Sequence, residues 1–432
     1  MAILLTNGRV FQNDGFKDVQ VLVSEGKIEA IGHNILTDAD RIDLDNKFLL
    51  PGVIDMHVHF REPGGEHKET WATGSHAAVL GGVTTVLDMP NTNPATTTLA
   101  AYVAKRELAA ANSLVNFGLA FGAGPDNREE QRQLPLTIPV KCYAGPTTGS
   151  LLVDQLPLLD NIFATTDHLF LIHAEDKEVM DRNAMHYPGS EDPRVHNKIR
   201  SPEAAVVMME KIAGLARKYD RRVHFCHISS QEELEFVKAL KAEGLKMTCE
   251  VTPHHLFLEE EALARIGNYA KMNPPIRSQE HLDALWEGLV QGAIDCVATD
   301  HAPHTRSEKE LPYSKAPAGV PGVQTMLPLL LEQIQAGRLS YERLVEITSA
   351  QPATILGLQH KGRIAVGYDA DLVAVDPTIE REITNAAMAS KCGWSPFAGR
   401  HVHGWPVMTM VGGQIACREG RLDSDTRGKF IF

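Results

Sequence analysis

Eight short apolar runs alternate with helix-patterned stretches through the middle of the chain, and this alternation constrains the fold more than any other feature. The runs are VIDMHVHF (53–60), TTVLDMP (84–90), VNFGLAF (115–121), VKCYA (140–144), HLFLIHAE (168–175), RVHFCHIS (222–229), KMTCEVTPHH (246–255) and AIDCVATDHAPH (293–304). A strand covered on both faces has no polar side, so such runs suit a parallel sheet with helices packed over it. Between them, SPEAAVVMMEKIAGLARKYD and SQEELEFVKALKAEG open on helix-capping serines and then repeat apolar residues at spacings of three and four. Eight strand–helix units predict an α/β fold of the (β/α)8 barrel type. An open doubly wound sheet would prefer a glycine-rich phosphate turn after its first strand, where this chain has HVHFREPGG.

The two ends of the chain read differently. Residues 1–52 alternate short apolar runs with Gly, Asn and Asp, and the character returns over 360–432 in GRIAVGYDADLVAVDP and WPVMTMVGGQIACREGRL. Gly412 and Gly413 sit between two apolar runs, as a hairpin turn would. The ends are therefore expected to make one composite β-sandwich domain, with 53–359 as a catalytic, metal-binding barrel. The net charge of −13 has no basic run behind it, which argues against nucleic acid and anionic membranes as partners. No stretch reaches the roughly 18 to 20 apolar residues of a membrane span, and MAILLTNGRVF is a poor signal peptide, so a soluble, cytoplasmic protein is expected. Six scattered cysteines without a CxxC pair suggest small buried hydrophobes rather than disulfides or a thiolate zinc site.

The polar residues at the ends of these strands carry the chemistry, because the active face of such a barrel is the C-terminal end of its strands. His57 and His59 are two apart, so in an extended strand both point the same way. His173 in LFLIHAE, His227 in HFCHIS and Asp300 in CVATDHAPH bring the count to five N/O donors at one mouth. Imidazole with carboxylate and no thiolate favours Zn²⁺ or a similar first-row ion. Five donors are too many for one tetrahedral ion and too few for two unless a group is shared. Lys141 in IPVKCYAG is a cation where strand 4 should deliver an apolar or functional side chain. Kept neutral by desolvation, its amine would add carbon dioxide, and the carbamate would bridge two metals. Asp154 is the competing bridge and ranks second, since it lies well beyond strand 4.

The strings HVHFREPGGEHKE, GGVTTVLDMPNTNP, VTPHHL, MNPPIR and ATDHAPH resemble the dihydroorotases of the cyclic amidohydrolase superfamily over nearly the whole chain. The resemblance implies an amidohydrolase barrel with a composite terminal domain. It also implies that His57, His59 and Asp300 hold the more buried metal and that His173 and His227 hold the second. An FSDDG segment carrying a bridging Asp in many bacterial members is absent, and VKCYAGPTTGSLLVD looks instead like the strand-4 lysine segment of hydantoinases and allantoinases. That likeness supports a carboxylated Lys141 as the bridge between two Zn²⁺ per chain.

Arg61, two residues beyond His59, offers a planar fork for a substrate carboxylate and is expected on the same strand face. By resemblance Asn91 and His304 share that carboxylate, while Asn273 and the main chain of Ala318 and Gly319 meet the ring amide groups. His254 and His255 are expected to orient the ligands rather than to be ligands. The charged, Pro/Gly-punctuated stretch 305–319 reads either as a lid or as a static loop. The implied reaction is the reversible cyclisation of N-carbamoyl-L-aspartate to L-dihydroorotate in pyrimidine synthesis, through a metal-bridging hydroxide with Asp300 as general acid and base. An allantoinase or hydantoinase is the alternative; it needs the same metals but has no carboxylate to grip, and Arg61 discriminates against it. A metal-free scaffold partner of aspartate transcarbamoylase would lack the ligand set retained here. A homo-oligomer is expected, and association with aspartate transcarbamoylase is compatible with activity.

Overall fold

The computed structural model describes residues 2–12, 15–147, 151–423 and 425–432. Eight parallel strands form the barrel: β1 (Val53–Val58), β2 (Val83–Asp88), β3 (Asn116–Leu119, resumed at Phe121–Gly122), β4 (Val140–Ala144), β5 (Phe170–Ala174), β6 (Val223–Phe225), β7 (Met247–Val251) and β8 (Cys296–Val297). Neighbours in this order pair in parallel from β1 to β8. The ring closes just past β8, where His59 N donates to His301 O at 2.8 Å and Val58 bridges His301. Each apolar run thus holds one strand; β4 spans its whole run and β3 resumes to Gly122, while the other six strands stop short of the ends of their runs. In those six the last residues leave the ladder to build the mouth, which is why polar side chains are tolerated there.

Every residue of β1, β2, β4 and β5 is buried, as strands walled by helices outside and side chains inside must be. Ile54, Met56, Leu87, Leu171, Cys226 and Cys296 fill the interior, so the barrel is a packed core beneath the pocket at its top. The β1–β2 register shifts between Asp55 and Val58. This bulge lets Met56 approach Cys296 inside, Sδ to Sγ 3.6 Å, while the adjacent His57 also turns inward. Outside, helix Pro202–Tyr219 starts on Ser201, whose hydroxyl accepts from Ala204 N, has Pro202 in its first turn and ends on left-handed Asp220. It buries Met208, Met209, Ile212 and Leu215 against the barrel, each worth roughly 1.5–3 kcal/mol. Among the described residues no helix is long and apolar enough to cross a membrane.

The N- and C-terminal strands form a mixed β structure. In a seven-stranded sheet Phe48–Pro51 pairs antiparallel with Leu372–Glu382, so the two ends of the chain share one ladder. A four-stranded sheet of Lys27–Gly32, Gln20–Ser24, Ala2–Thr6 and Asp40–Asp43 completes it. Ile3, Val21, Val23, Leu49, Leu372 and Met410 form a core separate from that of the barrel. Gly412 and Gly413 turn the hairpin at φ 52° and 80°, and a Cβ on Gly413 would meet Gly26 Cα at 2.8 Å. Two stretches of the C-terminal segment return to the barrel. Phe117 N donates to Lys429 O at 2.9 Å beside β3, and Trp394 Nε1 donates to His304 O at 2.8 Å behind the mouth.

Candidate active site and metal centre

His57, His59, Arg61, Asn91, Lys141, His173, His227, Asn273, Asp300, Ala318 and Gly319 line one pocket at the C-terminal end of the strands, together with Tyr143, Thr147, Met272 and Ala302. His304 stands behind Arg61. Asp154 is half-buried and does not line the pocket. Three of these residues sit on left-handed backbone, Arg61 at φ 64°, His227 at 37° and Asp300 at 45°. Bulky side chains seldom adopt that region, and such strain concentrates where a side chain must be aimed. Arg61 differs from the sequence expectation for this reason. It does not continue the strand face; the chain turns out of β1 after His59, and the left-handed residue swings the guanidinium back so that Nε donates to Pro303 O at 3.1 Å.

The donor atoms of His57, His227 and Asp300 lie within 4.8 Å of one another. Asp300 Oδ1 is 2.9 Å from His59 Nε2 and 3.4 Å from His57 Nε2. The Glu250 carboxylate can only accept, so His57 Nδ1 donates to it, and its other oxygen takes a bond from His224 Nε2 at 3.1 Å. Burial and the Lys141 charge oppose a proton on His57, but Glu250, Asp300 and Cys226 outweigh them and raise it to about 10. A metal at His57 Nε2 must therefore displace a proton. Burial, beyond what Asp300 restores, drops His59 to about 4. Burial with the neighbouring His173, His57 and Lys141 drives His227 well below its usual value. Burial would raise Asp300, yet His57 and His59 hold it well below the usual carboxylate range. The set is thus neutral His59 and His227 beside an ionised Asp300, with His57 carrying the proton that a metal has to displace.

Two observations fit a metal here. Among the described residues His227 Nδ1 is buried without a hydrogen-bond partner, and its Nε2 lies 3.1 Å from His173 Nδ1. His173 Nε2 faces the Glu175 carboxylate at 2.9 Å, which leaves His173 Nδ1 a lone pair aimed at a second imidazole. The other is Lys141. It is fully buried, and its Nζ donates to Cys226 Sγ at 2.9 Å, 5.3 Å from the Tyr143 ring. A bare ammonium among imidazoles is a costly arrangement. Its charge also opposes protonation of His57, His173 and His227.

On the opposite wall, Lys68 Nζ lies 3.2 Å from His304 Nδ1 and can only donate, so the ring hydrogen is on Nε2 and goes to Ala318 O at 3.1 Å. Burial, outweighing Glu308, keeps His304 neutral at about 3. Arg61 Nη2 lies 3.2 Å from that same Nε2 and finds no acceptor there. Arg61 is 9 % exposed, and among the described residues its guanidinium is left with an N–H edge for a ligand. Asn273 Oδ1 is held by His196 Nε2 at 2.8 Å, and His59 Nδ1 meets Asn91 Oδ1 at 2.7 Å. His255 braces the wall through Thr252 Oγ1 and Pro274 O at 2.9 and 3.1 Å, while among the described residues His254 Nε2 is buried and unpartnered.

Sequence reasoning missed Glu250, Cys226 and the Glu175–Arg200 ion pair behind His173. The signal was present: Glu250 interrupts KMTCEVTP, and an acid inside a fully covered strand needs a buried partner. Glu250→Gln keeps the shape but removes the charge that orients His57. Metal affinity measured by chelator competition is expected to fall roughly 10–100-fold; an unchanged affinity removes this role.

Residues 48–416 match the amidohydrolase family. The chain is 41% identical to the dihydroorotase of Halobacterium salinarum over 426 residues, 95% of this chain and 97% of that one. It is 36% identical to the Bacillus cereus dihydroorotase over 423 residues, 96% and 98% of the two chains. Among solved structures it is similar to the L-hydantoinase (dihydropyrimidinase) of Arthrobacter aurescens, with a TM-score of 0.93 at 31% identity over 98% of this chain and 97% of that one. The dihydropyrimidinase of Brevibacillus agri gives a TM-score of 0.91 at 28% identity over 100% and 99%.

Proposed function

Because the chain belongs to the amidohydrolase family and, within it, to the dihydroorotases, we propose that its pocket closes N-carbamoyl-L-aspartate to L-dihydroorotate, with loss of water, and reopens it. The observation that carries the substrate is Arg61, a buried guanidinium with an unused edge in the same pocket as the imidazole and carboxylate donors. A planar fork of this kind suits a carboxylate, which dihydroorotate has and hydantoin lacks.

His57, His59 and Asp300 would hold one ion and His173 and His227 a second, with Lys141 shared between them once its amine had added carbon dioxide and released a proton. Zinc or a similar metal bound there supplies Lewis acidity, making water nucleophilic near neutral pH and polarising the amide carbonyl. In ring opening Asp300 accepts the proton of the attacking water and delivers it to the ring nitrogen as the amide bond breaks. In ring closure the same carboxylate removes the ureido proton. Arg61, with Asn91, holds the substrate carboxylate, and His304, whose two ring nitrogens are engaged by Lys68 and Ala318 O, backs Arg61 rather than sharing that carboxylate. Asn273 and the main chain of Ala318 and Gly319 meet the ring amide groups, so these residues contribute position rather than bond-making.

Likeness to solved hydantoinases supports a second reading, a cyclic amidohydrolase of uncharged rings. One assay separates the two: metal-replete protein is given dihydroorotate, hydantoin and allantoin. Preference for dihydroorotate supports the first reading, and preference for either other ring replaces it. Arg61→Met should then lower kcat/KM for dihydroorotate by roughly 10²-fold, the scale of a charged hydrogen-bonded pair, with a much smaller change on hydantoin. An equal loss on both rings would remove Arg61 as the reader of the carboxylate.

A further inference from the structure

Residues 305–319 are charged enough to form a mobile cover, yet Lys309 in their middle is only 1 % exposed. Its ammonium donates to three main-chain carbonyls: Gly319 O at 2.9 Å, Pro317 O at 3.0 Å and Lys271 O at 3.4 Å. Those three bonds use every N–H an ammonium has. Glu308, the adjacent acid, is engaged instead by Lys68 at 2.9 Å. Lys271 grips the same stretch from the far side, donating to Tyr313 O at 2.6 Å and Ala316 O at 2.8 Å. Gly319 N closes the arrangement by donating to Lys271 O at 2.9 Å.

Taking two ammonium groups out of water is costly, and an apolar side chain would fill the same space without that cost. What the two lysines share is the stretch 313–319, whose Ala318 and Gly319 line the pocket. Gly319 has φ 140°, and a Cβ there would meet Ala302 O at 2.5 Å, so this main chain is seated directly against the segment that follows β8. The Trp394 ring, 5.7 Å from Lys309 Nζ, backs it from the C-terminal segment.

We propose that Lys309 and Lys271 are positioning residues that clamp 313–319, making the Ala318–Gly319 main chain a fixed substrate-contacting wall. The inference rests on the reading of this pocket as the substrate site. It replaces an opening lid with an anchored one. The clamp also has a pH limit. Burial, then Lys271 and Arg61, bring Lys309 down to about 7 against the pull of Glu308 and Cys392. A neutral amine has two N–H groups for three carbonyls, so the grip loosens as pH rises past that value.

Metal-replete Lys309→Met and Lys271→Met proteins, compared with the parent by steady-state kinetics on dihydroorotate and by hydrogen exchange over 305–319, test this. Lys309→Met is expected to raise KM roughly tenfold, with kcat and metal content near the parent's and faster exchange at the Ala316 and Gly319 amides. The parent's KM should climb above neutral pH and that of Lys309→Met should not. Should Lys309→Met fail to fold, the less buried Lys271→Met carries the same measurements. Unchanged KM and exchange in a folded variant would overturn the clamp, as would a fall in kcat with KM unmoved. If the parent opened no dihydroorotate, the functional reading would fail while the exchange data still judged the clamp.

Discussion

Lys141→Ala protein, prepared with ample zinc and bicarbonate, is expected to bind little metal and to lose roughly 10³-fold or more in kcat, the scale on which Lewis-acid stabilisation operates. The reason is geometric. Lys141 stands on β4, fully buried, with Nζ bonded to Cys226 and its charge felt at His57, His173 and His227. As an ammonium it opposes a metal among those imidazoles; as a carbamate it would add a second anionic oxygen ligand beside Asp300. Removing the side chain leaves a slot that small carboxylic acids can enter, so acetate or propionate should restore part of both metal content and turnover. Wild-type activity and metal content in Lys141→Ala would discard the bridge and return attention to half-buried Asp154.

Asp300→Asn should reduce turnover of dihydroorotate by roughly 10²–10⁴-fold, the range for loss of a positioned acid–base group. Asparagine keeps the volume and an oxygen donor but can neither carry the negative charge nor shuttle a proton. His57 and His59 hold the Asp300 carboxyl well below its ordinary range, so at neutral pH it is ionised, the form a general base must have. Metal content measured alongside kcat separates the two roles of this residue. Loss of turnover with metal retained isolates proton transfer, and loss of both marks a ligand as well. Near-normal kinetics would remove Asp300 from the chemistry.

Much of this architecture was legible in the chain because burial on two faces leaves a plain mark. VIDMHVHF and HLFLIHAE can be covered only by helices on one side and a filled barrel on the other, and an imidazole or carboxylate at the end of such a run has to face the mouth. The eight runs, the five N/O donors and the lysine on β4 were therefore readable one segment at a time. The hairpin glycines 412 and 413 were readable for the same kind of reason, since the turn demands positive φ at both positions.

Other features exist only because distant segments meet. Glu250 matters because β7 lies next to β6, where its carboxylate reaches His57 on β1 and His224 on β6. Local sequence marks it only as an odd acid in a strand. The bulge that turns both Met56 and His57 inward, and the left-handed backbone at Arg61, His227 and Asp300, were not predictable from residue type, because even Asp and His, which enter the left-handed region more readily than most, do so at only a minority of positions, and Arg does so rarely. Lys309 shows the limit most clearly. Its neighbours are charged and punctuated like any surface loop, and nothing local says that three carbonyls from two segments would surround its ammonium. The sequence alone determined which strands exist and which side chains stand at their ends, because solvent exclusion acts residue by residue. The tertiary structure alone decided which of those side chains face one another and which charges are held out of water, because these depend on distances between segments far apart in the chain.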